Sequence, residues 1–299
     1  MLSSTSTDAT PRLFLRRSDA SGQGLYRGLI DGRSAAEEFS SPAGLHRRPW
    51  LERLRRALEE DLFVLHFQPI VSLADGRVSH YEALLRLADE PHGGLVAPGR
   101  FLPAAERYGL IRDIDRMVLG KVAALLGAEH GGRGVCIAMN VSALSVTDGA
   151  MLTHLERQLE RHRVDATQLV IEVTETAAIS DMARAKDFCS GVQALGCAVA
   201  LDDFGAGFGS FQYLKQLPFS YLKIDGDFIR GLPGSHTDQL VVQALVGVVR
   251  GLGRRTIAEF VGDEQTMSML RDFGVDYAQG FEVGRPHPVL PVAVWGELL

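Results

Sequence analysis

Side chains that bind hard cations recur along this chain, each breaking an otherwise apolar run. They are Glu82, Asn140, Glu172, the adjacent pair Asp202 and Asp203, and Glu259, accompanied by Lys223 and Gln279. Oxygen donors without histidine suit Mg²⁺ or Mn²⁺ rather than Zn²⁺. The nine histidines are scattered and form no HExxH pair. With this many acids two ions fit better than one, because a single Mg²⁺ keeps several of its waters. Two-ion sites perform in-line displacement at phosphorus, so hydrolysis of a phosphodiester is the leading chemistry. Lys223 is suited to orient the attacking water or offset charge in the transition state, and Glu259 to bind an ion or take a proton.

The sharpest stretch is Ala198 to Ser210, AVALDDFGAGFGS, where a small, β-branched apolar run ends in two acids and alternating glycines. Adjacent residues of a strand point to opposite faces. Both acids therefore serve one centre only if the backbone bends there or two ions lie side by side. Gly205, Gly207 and Gly209 supply backbone freedom. GAGFG is neither GxGxxG nor a Walker loop, which makes it a hinged lid rather than a phosphate cradle.

Such residues need a frame to bring them together. Leu51, Leu54, Leu58 and Leu62 recur at helical spacing after Pro49, predicting a helix that seals one end of a core. Phe63 to Val71 and Val78 to Leu87 read as strands whose short connection, Ala74-Asp75-Gly76-Arg77, holds no crossover helix, so they form an antiparallel hairpin. Strands follow at Gly134 to Val141, Gln168 to Thr174, Cys197 to Asp203, Tyr221 to Asp225, Arg255 to Val261 and Asp276 to Phe281. Amphipathic helices such as Gly149 to His162, Asp181 to Leu195, Thr237 to Leu252 and Asp263 to Phe273 lie between them. The alternation predicts an α/β fold, a TIM-like (β/α)8 barrel with one reversed strand. In such a barrel functional side chains gather where strands feed the βα loops. A single charged residue in a strand is explained by a structural ion pair; six strands carrying one are not.

The 299 residues, 46% hydrophobic, suffice for one core of barrel size. Residues 1–47, rich in Ser, Thr, Ala, Gly and Arg, read as a flexible tail or linker, and 48–299 as the barrel domain. A net charge of −6 argues against a DNA or RNA polymer as partner. Cys136, Cys189 and Cys197 are odd in number, lack CxxC spacing and lie in apolar segments, as expected of reduced cysteines in a cytoplasmic protein. No apolar run approaches the length of a membrane span.

The ordered motifs also resemble the EAL-domain phosphodiesterases, which cleave the bacterial second messenger cyclic di-GMP. The name motif stands as Glu82-Ala83-Leu84-Leu85-Arg86. Around it lie FQPI at Phe67 to Ile70, NVS at Asn140 to Ser142, EVTE at Glu172 to Glu175, DDFG at Asp202 to Gly205, LKID at Leu222 to Asp225, AE at Ala258 to Glu259 and QGF at Gln279 to Phe281. The resemblance implies a barrel with its first strand antiparallel, opening of the cyclic dinucleotide to linear pGpG, and a homodimer. It implies that Glu82, Asn140, Glu172, Asp202, Asp203 and Glu259 bind Mg²⁺ or Mn²⁺, with Glu82, Glu259 and Lys223 taking part in catalysis. Lys223 resembles the residue that positions the nucleophilic water, Arg86 a phosphate ligand, Gln68 part of the dinucleotide pocket and Gln279 a further substrate contact. Glu175 is similar to the anchor of the loop Phe204 to Ser210.

One departure bears on activity. Many members read AExVE in the seventh strand, where this chain has Ala258-Glu259-Phe260-Val261-Gly262. Asp263 and Glu264 follow, but they read as acids of a first helical turn. The missing carboxylate motivates the alternative, a cyclic di-GMP-binding regulatory module with little or no catalysis. No GGDEF signature occurs, so a cyclase is not expected.

Overall fold

Leu54 and Ala57, on one face of the helix α1 (Arg47–Glu59), are fully buried, so the leucine periodicity does seal a core. The computed structural model describes residues 47–89, 94–128, 134–205 and 214–290. The expected N-terminal tail lies outside these residues, except that Arg47 already opens α1. Strands β1 (Phe63–Ser72) and β2 (Val78–Asp89) form the expected antiparallel hairpin. Its turn uses the left-handed backbone of Gly76 (φ 73°), and Asp75 accepts a hydrogen bond from the Arg77 amide.

Between the hairpin and the next barrel strand come three elements that the periodicity reading does not identify. They are β3 (Gly94–Val96), which among the described residues pairs only with β2, and helices α2 (Pro98–Arg107) and α3 (Ile111–Leu126). The rest alternates. β4 (Ile137–Val141) leads to α4 (Ala143–Val146) and α5 (Ala150–His162). β5 (Leu169–Thr174) leads to α6 (Glu175–Ser180) and α7 (Met182–Ala194). After β6 (Ala198–Phe204) come β7 (Tyr221–Ile224), α8 (Gly226–Ile229) and α9 (His236–Gly251). The described chain closes with β8 (Arg255–Ala258), α10 (Glu264–Phe273) and β9 (Tyr277–Gln279).

The sheet runs β1-β9-β8-β7-β6-β5-β4-β2, and pairing of β1 with β2 closes it into an eight-stranded barrel, with β3 appended outside the ring. β1 is antiparallel to both neighbours, and the remaining barrel pairs are parallel. The expected TIM-like barrel with a reversed first strand is therefore present. Strand alternation sorts the side chains into two layers. Ile137, Met139, Ile171, Val173, Val199 and Leu201 join the layer packed under the helices. Ala138, Val170 and Ala200, with Ile70, Ile257 and Tyr277, form apolar clusters on the opposite face. His80 packs against Tyr221 and Tyr277 with ring centroids 5.5 and 5.8 Å away. Burial, reinforced by Lys223, pushes the His80 pKa down to about 4, so this floor is uncharged at neutral pH.

Several strands are shorter than their apolar runs. Arg255 to Val261 was expected to be extended throughout, but β8 stops at Ala258 and Phe260 turns into the left-handed region (φ 55°). The run Asp276 to Phe281 yields only Tyr277–Gln279, because Gly280 passes so close to Val261 that a Cβ would overlap its backbone.

Candidate active site

Alternation along each strand sets the site. Glu82 opposes Gln68 across the hairpin, and Asn140 stands beside Glu172 in the β4–β5 register. Lys223 and Gln279 lie two residues beyond Tyr221 and Tyr277, hence on the same face and above the aromatic floor. Lys223, with its side chain 1% exposed, is the hub. Its Nζ lies 2.9 Å from Glu172 Oε2, 3.0 Å from Asp202 Oδ1, 3.0 Å from Glu259 Oε1 and 3.4 Å from Glu82 Oε2.

Glu82 is held from several sides. Asn140 Nδ2 donates to its Oε1 at 2.8 Å and also to Glu172 Oε2 at 3.2 Å. Gln279 Nε2 donates to Glu82 Oε2 at 2.6 Å and to Gln68 Oε1 at 3.2 Å, while Gln68 Nε2 donates to the Gly284 carbonyl. Gln279 thus grips Glu82, and Gln68 grips Gln279. Burial disfavours ionisation of Glu82, but Lys223 and these donors outweigh it and hold its pKa below the usual value.

The other acids move the opposite way. Burial, reinforced by like charge, lifts Glu172 and Glu259 well above the carboxylate range against the pull of Lys223, and it raises Asp202. Burial and the adjacent Asp202 charge push Asp203 up to about 7. For Lys223 burial opposes the charged form, yet the acids led by Asp202 and Glu172 raise its pKa well above the ordinary value. Five carboxylates facing one ammonium hold excess negative charge, which only protons or cations can relieve.

Consecutive residues Asp202 and Asp203 reach one centre because the backbone bends between them. The β6–β7 register shifts between Leu201 and Phe204, and Asp203 sits at φ 54°. Of the two ways both acids could serve a site, the fold provides the bend. Asp202, Asp203 and Glu259 each offer an oxygen, all within 4.8 Å of one another. Glu172 Oε1 and Asp202 Oδ1 are buried without a hydrogen-bond partner, the latter lying near Lys223 but poorly aligned with it. Clustered, partner-poor carboxylate oxygens beside an amide are the donor set a hard divalent cation takes.

The acids open on a cavity of about 570 Å³. Gln68, Phe260, Arg230 and Phe281 contribute to its rim, and Leu102, Ile111 and Ile114 to an apolar wall. Arg86 is four residues beyond Glu82 on the same strand face, and its Nη1 donates to the Leu85 carbonyl at 2.9 Å. No hydrogen bond links it to the acidic set among the described residues. Glu175 Oε2 accepts from the Gly205 amide at 3.0 Å, tying α6 to the end of β6. Residues 206–210 of the expected lid lie outside the described residues. Asp263 caps α10 by accepting from the Thr266 amide, and Glu264 pairs with Arg271, so both acids belong to that helix.

Two contributors were not read from the sequence. Asp115 is buried, lines the cavity, and accepts from the amide and hydroxyl of Ser142 at 3.0 and 2.6 Å, bracing the turn that follows Asn140. Burial pushes its pKa up to about 6. Its signal was a charged residue on the Ile111, Ile114, Val118 face of α3. The second is Phe260, whose ring lies 4.0 Å beneath the Arg230 guanidinium. Its left-handed backbone carried no glycine to announce it.

Comparison with known proteins supplies the remaining observations. The family model described as EAL domain matches residues 51–286. The chain is 36% identical over 242 residues to the cyclic di-GMP phosphodiesterase PdeB of Shewanella oneidensis, covering 80% of this chain and 28% of that protein. It is 36% identical over 269 residues to the bifunctional diguanylate cyclase/cyclic di-GMP phosphodiesterase MucR of Pseudomonas aeruginosa, covering 88% of this chain and 39% of that protein. It therefore spans well under half the length of these relatives. Among solved structures, the PaMucR phosphodiesterase in complex with c-di-GMP superposes with a TM-score of 0.76 at 37% identity, covering 81% of this chain and 98% of that one. The FimX EAL domain of Pseudomonas aeruginosa bound to c-di-GMP gives 0.76 at 30% identity, covering 82% and 98%.

Proposed function

The chain belongs to the EAL domain family, and from that premise we propose that its barrel hydrolyses cyclic di-GMP to linear pGpG. The observation that carries this reading is the convergence of Glu82, Glu172, Asp202 and Glu259 on Lys223 within 3.4 Å, with Asp203 alongside, at the mouth of a cavity. Glu82, Asn140, Glu172, Asp202, Asp203 and Glu259 would hold Mg²⁺ or Mn²⁺, as two ions. The chemistry such ions would supply there is activation of water near neutral pH and neutralisation of phosphodiester charge.

The side chains have separable tasks. Lys223, kept charged by the acids around it, is no general base; it holds the attacking water in place and offsets charge at phosphorus. Glu259, whose buried carboxyl binds a proton readily, is placed to bind an ion or accept the proton of that water. Gln279 and Gln68 fix the orientation of Glu82, and with Arg86 they are the residues we assign to the dinucleotide and its phosphates. We assign Glu175, which accepts from the Gly205 amide, to anchoring the loop Phe204 to Ser210.

Gly262 favours a second reading, a cyclic di-GMP-binding regulatory module that turns over little. It lies in the cavity lining, and among the described residues a Cβ there would have only the Phe260 carbonyl nearby, at 3.9 Å. One assay separates the two: incubation of the full chain with cyclic di-GMP in Mg²⁺, Mn²⁺ or EDTA, with pGpG measured by chromatography. Metal-dependent pGpG supports the enzyme. Tight nucleotide binding with no product in Mn²⁺ supports the module.

A further inference from the structure

Glu259 is the only acid of the cluster whose strand ends before reaching it, for β8 stops at Ala258. Its amide still donates to the Ile224 carbonyl at 3.2 Å, and the Val261 amide donates to the Gln279 carbonyl at 3.0 Å. Phe260, between these two ties, departs from extended geometry, with φ at 55°. For a phenylalanine that conformation is unfavourable and persists only where the surroundings impose it.

Two neighbours do so. Against the ring lies Gly226, the first residue of α8, where any Cβ would overlap Phe260 atoms. The Arg230 guanidinium lies over the ring, 4.0 Å from its centroid, with Arg230 Nη1 held by Asp227 Oδ1 at 2.9 Å. Gly226, Asp227 and Arg230 come from one short stretch that directly follows β7, the strand carrying Lys223. The ring is therefore packed against a glycine surface and a cation that are both fixed to the neighbouring strand. The packing locks the residue next to Glu259 relative to Lys223.

We propose that Phe260 is a positioning residue: packed against Gly226 and Arg230, it sets the Glu259 carboxylate beside Asp202 and Asp203 so that all three take one divalent cation. This deepens the hydrolase reading and rests on its metal site. Gly226 is glycine because the ring occupies the space of a side chain, a constraint independent of its place at a helix start.

The test is Mn²⁺ binding by titration calorimetry on the full chain, alongside thermal melting of each variant. Gly226→Ala and Phe260→Ala should each weaken Mn²⁺ binding about tenfold, the usual scale for residues that orient a metal ligand. The double variant should be no worse than the weaker single one, because both act through one packing contact. pGpG formation should need correspondingly more Mn²⁺ and recover at saturation, which a general loss of structure would not allow. Unchanged affinity in Gly226→Ala, or additive losses in the double variant, overturns the proposal while leaving the hydrolase reading intact if wild type binds Mn²⁺ and forms pGpG. A wild type that binds no Mn²⁺ overturns both. If Gly226→Ala does not fold, Arg230→Ala, an exposed change, should still weaken Mn²⁺ binding roughly threefold, the scale of one cation–π contact. No change there overturns the proposal.

Discussion

Five acids around one lysine make the metal-free barrel sensitive to alkali, and the size of the effect follows from the site. Between pH 6.5 and 8 two opposing contributions are inactive and a third is small. Stability from the depressed Glu82 is lost only below its ordinary carboxylate range, and that from Lys223 only above the ordinary range of lysine. His80, neutral when folded, opposes only weakly, because its unfolded form is already half deprotonated at pH 6.5 and the remainder is worth about 0.4 kcal/mol. What remains are groups whose folded pKa is raised. Their stabilisation is present at low pH and is lost as pH rises past the unfolded value, until the folded form also gives up its protons. Asp203, at about 7 when folded against 3.8 unfolded, accounts for about 1 kcal/mol across this interval. Glu172 and Glu259, also held well above the carboxylate range when folded, push stability in the same direction. Urea unfolding in EDTA at pH 6.5, 7.2 and 8 measures it. Mn²⁺ at a hundredfold excess over its Kd should return about 2.7 kcal/mol. Stability that is flat or rises over this range in EDTA, or that ignores Mn²⁺, would refute the view that uncompensated acid charge dominates the site.

Other outcomes follow from individual contacts. Lys223→Met should lower kcat for pGpG formation roughly 10²- to 10³-fold, the scale of losing one preorganised electrostatic donor, with nucleotide affinity measured in parallel by calorimetry. Glu82→Ala, which also empties the grip of Gln279 and Asn140, should abolish detectable pGpG. Glu175→Gln should lower turnover by about tenfold while leaving Mn²⁺ affinity alone, since the change falls on the Gly205 contact and not on the acids. Gly262→Glu should raise turnover if the missing carboxylate limits the rate, and a variant no faster than wild type would place the limit elsewhere.

The barrel could be read from the chain because each strand is an apolar run broken by one polar residue, and because the hairpin loop is too short for a helix. Site residues were legible by type for the same reason: a buried Lys223 or Glu172 in such a run is costly unless it has partners. What could not be read is where the backbone leaves regular geometry. The glycines of DDFGAGFG suggested a bend after the acids, yet it begins on Asp203 itself, and Gly205, also at positive φ, leaves room for Phe228, which packs where its Cβ would lie. Phe260 looked like one more apolar strand residue, and only its neighbours Gly226 and Arg230 explain its turn. Helices α2 and α3 were missed although Ile111, Ile114, Val118 and Val122 carry the helical period, which Asp115 interrupts on the buried face.

The aromatic layer of His80, Tyr221 and Tyr277 under Lys223 makes this barrel a cup rather than a tube. Whatever enters over the rim has to leave the same way. If the proposed hydrolysis takes place there, a cleaved, linear product still seated on the acids would block its successor, and the pace of emptying would count beside bond breaking.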